Sequence, residues 1–185
     1  MPSAQLRFTR TVILPQGRWY RFWDDAVFEG QNEVNFEAPL EQIPLLVKAG
    51  SILPMEEESR LLLHIYPPVK MAEDAGEERQ EEQRKLREKS QSLIQNPKSK
   101  IQNSYTLYSN AGDGYGAWRP DRFGMVRDEK SLTLTWEAQG EYAFPYQSIQ
   151  LHLHGFQPYQ VWVDGKEVAI QGKIVSLDRF QQVRF

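Results

Sequence analysis

Four small groups of residues in this chain carry side chains that could do chemistry. Asp24 and Asp25 offer adjacent carboxylates, and cleavage of a glycosidic bond needs two carboxyl groups about 5 to 10 Å apart. Neighbours in a turn point away from each other, so the pair reads as a turn rather than as an acid and a nucleophile. His152 and His154 share one strand face by the two-residue period and, with His64 from another strand, could chelate a metal. Three histidines without a cysteine are a sparse ligand set, and half-exposed rings packed on a sheet account for them better. Asn110 and Asp113 lie in a Gly-rich loop, but calcium takes six to eight oxygens and only one carboxylate is present there. Trp118, with Tyr115 and Arg119 close by, could stack on a sugar face or fold back over the end of a sheet. No Gly-x-Ser-x-Gly elbow exists, so nucleophilic hydrolysis has no support. The residues therefore predict no catalytic group, no metal and no cofactor, with Trp118, Tyr115 and Arg119 as the candidate carbohydrate contacts.

Composition narrows the classes further. At 185 residues and 40% hydrophobic content, the chain can bury one moderate core or two small ones. It is too short for a (β/α)₈ barrel of about 250 residues together with anything else. A net charge of −3, from 22 basic and 25 acidic residues, gives no electrostatic case for nucleic acid or an anionic membrane. Apolar runs are only a few residues long, which leaves no membrane-spanning helix. Cysteine is absent, which suits a reducing compartment, and Met1 to Arg10 lacks a signal-peptide core. Cytoplasmic localisation is the expectation.

The elements that would position these residues read as strands throughout. Leu6 to Pro15 alternates as a half-buried strand, Trp19 to Trp23 carries aromatics on both faces, and Val34 with Phe36 marks a third. Between Ala38 and Met55, Pro39, Pro44 and Pro54 forbid a helix and confine the chain to short strands around a bend at Gly50. This first antiparallel module runs over 1–56. A distal module over 60–185 begins with Leu61 to Tyr66, and Tyr105 to Tyr108 is expected to pair with it across an intervening segment. That segment, 71–103, is Glu-rich, lacks an apolar stripe and repeats Ile-Gln-Asn, the pattern of a charged low-complexity insertion. Short strands from Ser131 to Phe185 follow, with Asp164 and Gly165 as a two-residue hairpin signal. The predicted class is all-β, two antiparallel β-sandwich modules with a low-complexity, disordered insertion.

The order Leu14-Pro-x-Gly-x-Trp-Tyr20, Ala38-Pro-Leu-x-x-Ile-Pro44, Val47-Lys-Ala-Gly-Ser-Ile-Leu-Pro54 and Leu63-His-Ile-Tyr-Pro67 resembles one region of glycoside hydrolase family 31. That region directly follows the catalytic barrel in this α-glucosidase and α-xylosidase family. The resemblance implies proximal and distal β-sandwiches packed beside a barrel, and no catalysis in this chain, because the family's nucleophile and acid/base sit on the barrel. It implies the barrel as partner, with Trp19, Trp23, Ile43, Leu45, Ile52 and Leu53 facing it. A barrel-facing surface left uncovered should appear as an apolar patch on the first module. One departure stands out: Ser109, Asn110 and Ala111 occupy places where the family usually has three acidic residues, which removes the carboxylates of a cation site there. The alternative reading is a stand-alone module that binds oligosaccharide through Trp118 and Tyr115, or one whose Glu-rich insertion docks a partner.

Overall fold

The computed structural model describes residues 7–39, 43–69, 103–112, 115–128 and 130–185. Among the described residues there are fifteen strands and no helix, so the all-β expectation holds. The 71–103 insertion and Asp113 lie outside the described residues, apart from Asn103, which opens a strand.

The first module holds five strands in two small sheets. β1 (Arg7–Ile13) pairs with β4 (Glu33–Pro39), while β2 (Arg18–Arg21) lies between β3 (Val27–Glu29) and β5 (Leu46–Lys48). Among the described residues, Leu14, Tyr20 and Phe36 are its buried large side chains, and the Phe28 ring meets Phe36 edge-on with centroids 5.1 Å apart.

The second module is a sandwich of a four-stranded and a six-stranded sheet. The four-stranded sheet runs β14 (Ile174–Leu177), β11 (Ser148–Leu153), β7 (Arg60–Ile65), β6 (Ile52–Glu57). The six-stranded sheet contains β13 (Lys166–Val168), β12 (Val161–Val163), β15 (Gln182–Arg184), β10 (Leu132–Ala138), β9 (Trp118–Arg127) and β8 (Asn103–Asn110), in that order. Period-two alternation builds the core between them: Leu61, Leu63 and Ile65 of β7 and Ile149, Leu151 and Leu153 of β11 face Phe123, Met125, Leu134 and Trp136. β12 and β13 form the predicted hairpin, Val163 opposite Lys166, with Asp164 and Gly165 both at positive φ.

Two connections differ from the sequence expectation. β8 does not pair with β7; it pairs with β9 in the opposite sheet, from Asn103↔Met125 to Asn110↔Trp118. β7 pairs instead with β6 and, in parallel, with β11, Leu63 opposite Leu151. A strand apolar on its inner face and flanked on both sides needs a partner that is equally apolar, and β11 supplies Ile149, Leu151 and Leu153 where Tyr105 to Tyr108 could not. β6, expected to end the first module, is thereby an edge of the second sandwich, and sheet pairing runs across the boundary expected between residues 56 and 60.

Leu63 is fully buried at the centre of this sandwich. Replacing it with Ala should destabilise the fold by about 2 to 5 kcal/mol through lost transfer energy and a residual cavity, read as a shift in urea midpoint at unchanged slope.

Candidate functional site

Strand register assembles the three histidines. β7 and β11 run in parallel with His64 opposite His152, both turned away from the sandwich core, and His154 follows one step beyond β11 on the same side. On that outer face the first module rests, through the turn that ends β2. Phe22 lies 5.1 Å from the His64 ring and 6.2 Å from His154, while Tyr20 meets Tyr66 at 5.6 Å. Tyr66 stacks on His154, with centroids 4.3 Å apart and planes within 12°.

The two adjacent aspartates diverge, as the turn geometry requires. Asp24 is held by Arg21, whose Nε donates to Oδ1 at 2.7 Å, and its Oδ1 also accepts the Ala26 amide. Asp25 points the other way, accepting from His154 Nδ1 at 2.5 Å and from Lys173 Nζ at 2.7 Å. It sits at φ 61°, a left-handed conformation that Asp tolerates better than most residues. Burial pushes the Asp25 carboxyl up, but the hydrogen bonds from Lys173 and His154 outweigh it and leave the group below the usual carboxylate range.

An ionised Asp25 only accepts, so His154 Nδ1 carries a proton; its Nε2 lies 2.8 Å from His64 Nδ1, within hydrogen-bond distance. The result is a line His64 to His154 to Asp25 that joins β7, β11 and the first module. Burial, with the neighbouring histidines adding to it, lowers the His64 pKa to about 4. His152, whose Nε2 is 3.4 Å from Gln150 Oε1, is lowered for the same leading reason. Tyr66 is fully buried, its hydroxyl has no hydrogen-bond partner among the described residues, and burial raises the phenol above its ordinary value.

The line has the parts of a proton relay without a reacting group at its end. No hydroxyl or thiol is bonded to His64 among the described residues, and Phe22 covers the rings. Among the described residues no set of three or more His, Asp or Glu is arranged to hold a metal. An open groove of about 860 Å³ lies elsewhere, between Trp162, Tyr159 and Arg184, with Asp128 as the acidic side chain lining it among the described residues.

The other sequence candidates separate. Trp118 and Tyr115 are exposed, but Arg119 turns inward: its Nε bridges both oxygens of fully buried Asp121 at 2.8 and 3.0 Å, and its guanidinium lies over Phe144. Asp121 also accepts from Trp136 Nε1 at 2.8 Å. Asn110 Oδ1 accepts the Gly112 amide, a local Asx turn. Of the six residues expected at an interface, Trp23, Ile43 and Leu45 are exposed, and Trp23 Nε1 donates to the Ile43 carbonyl at 3.0 Å. Trp19 is half-buried, its Nε1 bonded to the Pro15 carbonyl, and Leu53 is half-buried too. Ile52 is a correction: it lies in the sandwich core opposite Ile65, because β6 starts there and alternation turns it inward. The aromatic signal that sequence reasoning missed is Tyr108, exposed beside Trp118 with its ring within 12° of parallel. The strand alternation of β8 could have found it.

Residues 2–53 match the profile of the glycosyl hydrolase family 31 C-terminal domain. An isomaltosyltransferase from Sporosarcina globispora is 41% identical over 25% of this chain and 4% of its own length. An alpha-glucosidase from Saccharolobus solfataricus is 30% identical over 33% of this chain and 8% of its own. The cycloalternan-forming enzyme from Listeria monocytogenes, solved with a pentasaccharide substrate, superposes on the whole chain at a TM-score of 0.62 with 15% identity, over 17% of its length. The chain thus spans a small fraction of the length of each of these three proteins.

The histidine line makes stability depend on pH. The unfolded chain takes up a proton on His64 near pH 6.5 and the folded one only near 4, so stability should fall as pH drops from 7 to 5. The loss should be roughly 2 kcal/mol by urea unfolding, with a smaller share from His152 in the same direction. Asp25 contributes only at lower pH, where its depressed carboxyl protonates, so this window isolates the histidines. His64→Leu should flatten most of the slope. Gly155 tests the contact itself: at φ 71° a Cβ would come within 2.4 Å of the Tyr20 ring, so Gly155→Ala should loosen the first module, seen as faster amide exchange in β2 with β7 unchanged.

Proposed function

We propose, on the premise that this chain carries the C-terminal β-region of a family 31 glycoside hydrolase, that its work is to pack against the catalytic barrel and support it. The observation that carries this reading is the apolar edge of the first module. Trp23, Ile43 and Leu45 are 51%, 72% and 43% exposed, and Trp23 is hydrogen-bonded to the Ile43 carbonyl. Val27, on the neighbouring β3, is 51% exposed. A tryptophan and three aliphatics presented to water gain nothing there, whereas a neighbouring domain that covers them recovers their burial. The Asp25 line gives that edge a rigid backing, since it fixes the adjacent turn to the larger sandwich. Support of this kind positions barrel loops without supplying a reacting group, and catalysis, substrate choice and a cytoplasmic site of action belong to this proposal rather than to the chain in isolation.

The purified chain should therefore show background hydrolysis of p-nitrophenyl α-glucoside and α-xyloside. It should also self-associate reversibly at high concentration by sedimentation velocity, and Trp23→Ser with Ile43→Ser should abolish that association while leaving the melting temperature nearly unchanged. Turnover above background would overturn the supporting role, and a monomer insensitive to both substitutions would remove the docking edge.

A further inference from the structure

In β8, alternation turns Tyr105 and Leu107 onto the sandwich core and leaves Ser104, Thr106, Tyr108 and Asn110 exposed. Register with β9 places Asn110 opposite Trp118 and Tyr108 opposite Pro120, so Tyr108 and Trp118 are diagonal neighbours on the outer face of the six-stranded sheet. They are 58% and 47% exposed, with ring planes within 12° and centroids 6.4 Å apart. The two rings are thus held nearly parallel, side by side on one exposed face of the sheet.

The pair is held from behind. The turn after β10 donates the Tyr142 amide to the Trp118 carbonyl and the Gln139 amide to the Pro120 carbonyl, and Gly140 packs so closely on Trp118 that a Cβ would fall 2.1 Å from its carbonyl oxygen. Trp118 and Pro120 are thus fixed in backbone position before anything binds. Beside the rings lies a polar row: Thr106 opposite Arg122, and Arg122 opposite Glu137, with Arg122 and Glu137 exposed. This gives a pair of nearly parallel exposed rings beside a donor and an acceptor of opposite charge.

We propose that Tyr108 and Trp118 form a binding platform for a neutral oligosaccharide. A pyranose presents C–H groups on one face and hydroxyls around its edge. The first suits the electron-rich ring faces, and the second suits Arg122 and Glu137. Charge argues against a polyanion, since the one cation of the row faces a carboxylate. Rigid rings also bind with little ordering cost, because Tyr and Trp each have only two side-chain torsions to fix. The site is on the second module, away from the Trp23 edge, and stands whether or not that edge docks a barrel.

The test uses the full chain and two defined probes, maltopentaose and isomaltopentaose, followed by amide chemical shifts and calorimetry. Saturable binding of at least one is expected, with shifts centred on β8 and β9. Tyr108→Ala and Trp118→Ala should each raise Kd about tenfold or more, and Tyr108→Phe, which keeps the ring, should retain it. Tyr159→Ala removes a fully exposed aromatic in the separate groove and should leave affinity unchanged. Unchanged melting temperatures would show that the variants fold. Flat titrations with both sugars would overturn the platform, as would alanine variants that bind normally or loss of binding in Tyr159→Ala alone. Self-association that disappears in Tyr108→Ala without sugar binding would assign the rings to a protein contact and also overturn it.

Discussion

The parallel pairing of β7 with β11 is the constraint on which the rest of the molecule depends. It sets Leu61, Leu63 and Ile65 beside Ile149, Leu151 and Leu153 on the inner face, which is most of one wall of the sandwich core. The same register necessarily sets His64 beside His152 on the outer face and brings His154 to the end of the row. A slip of one residue would exchange the faces, exposing the aliphatics and burying the imidazoles in the core. The core and the histidine line are therefore one decision made twice.

From that decision follows the way the smaller module is held. What ties it to the larger one combines ring contacts from Tyr20 and Phe22 with two hydrogen bonds to the Asp25 carboxylate. Taking the Asp25 carboxylate partly out of water is offset only because both of its oxygens find donors, one from His154 and one from Lys173. The neutral state of His64 is the cost of the arrangement at low pH and the reason it is tight at neutral pH. The Arg119 to Asp121 pair in the second sandwich follows the same logic, a buried carboxylate satisfied by a guanidinium and by the Trp136 indole.

The all-β class was legible because alternation and turn residues act locally: the Asp164-Gly165 hairpin needs only its own two residues and their flanks. What local signals do not carry is which strand finds which. Leu61 to Tyr66 and Tyr105 to Tyr108 are both strands, as their patterns say, yet nothing in either says that one joins β11 and the other joins β9. The same limit explains the site. Asp25 was legible as a turn residue and His154 as an outward-facing one, but their meeting spans 129 residues and depends on how two modules pack. Arg119 shows the opposite error: its sequence neighbours Tyr115 and Trp118 suggest exposure, while strand alternation between Trp118 and Arg119 sends the two side chains to opposite faces.

The bend after β5 has a consequence for how such a protein can be cut and rejoined. Lys48 ends a strand of the small sheet and Ile52 begins a strand of the large sandwich, with the Gly50 amide bonded to the Tyr66 carbonyl in between. Three residues carry the backbone from one unit to the next, and they are stitched to both. A chimera that joins a foreign proximal unit to this distal one has no slack in which to place its seam. The graft must bring β6 with its host, or the recipient sheet is left with a raw edge at β7, a bare row of amides and carbonyls open to whatever strand drifts by.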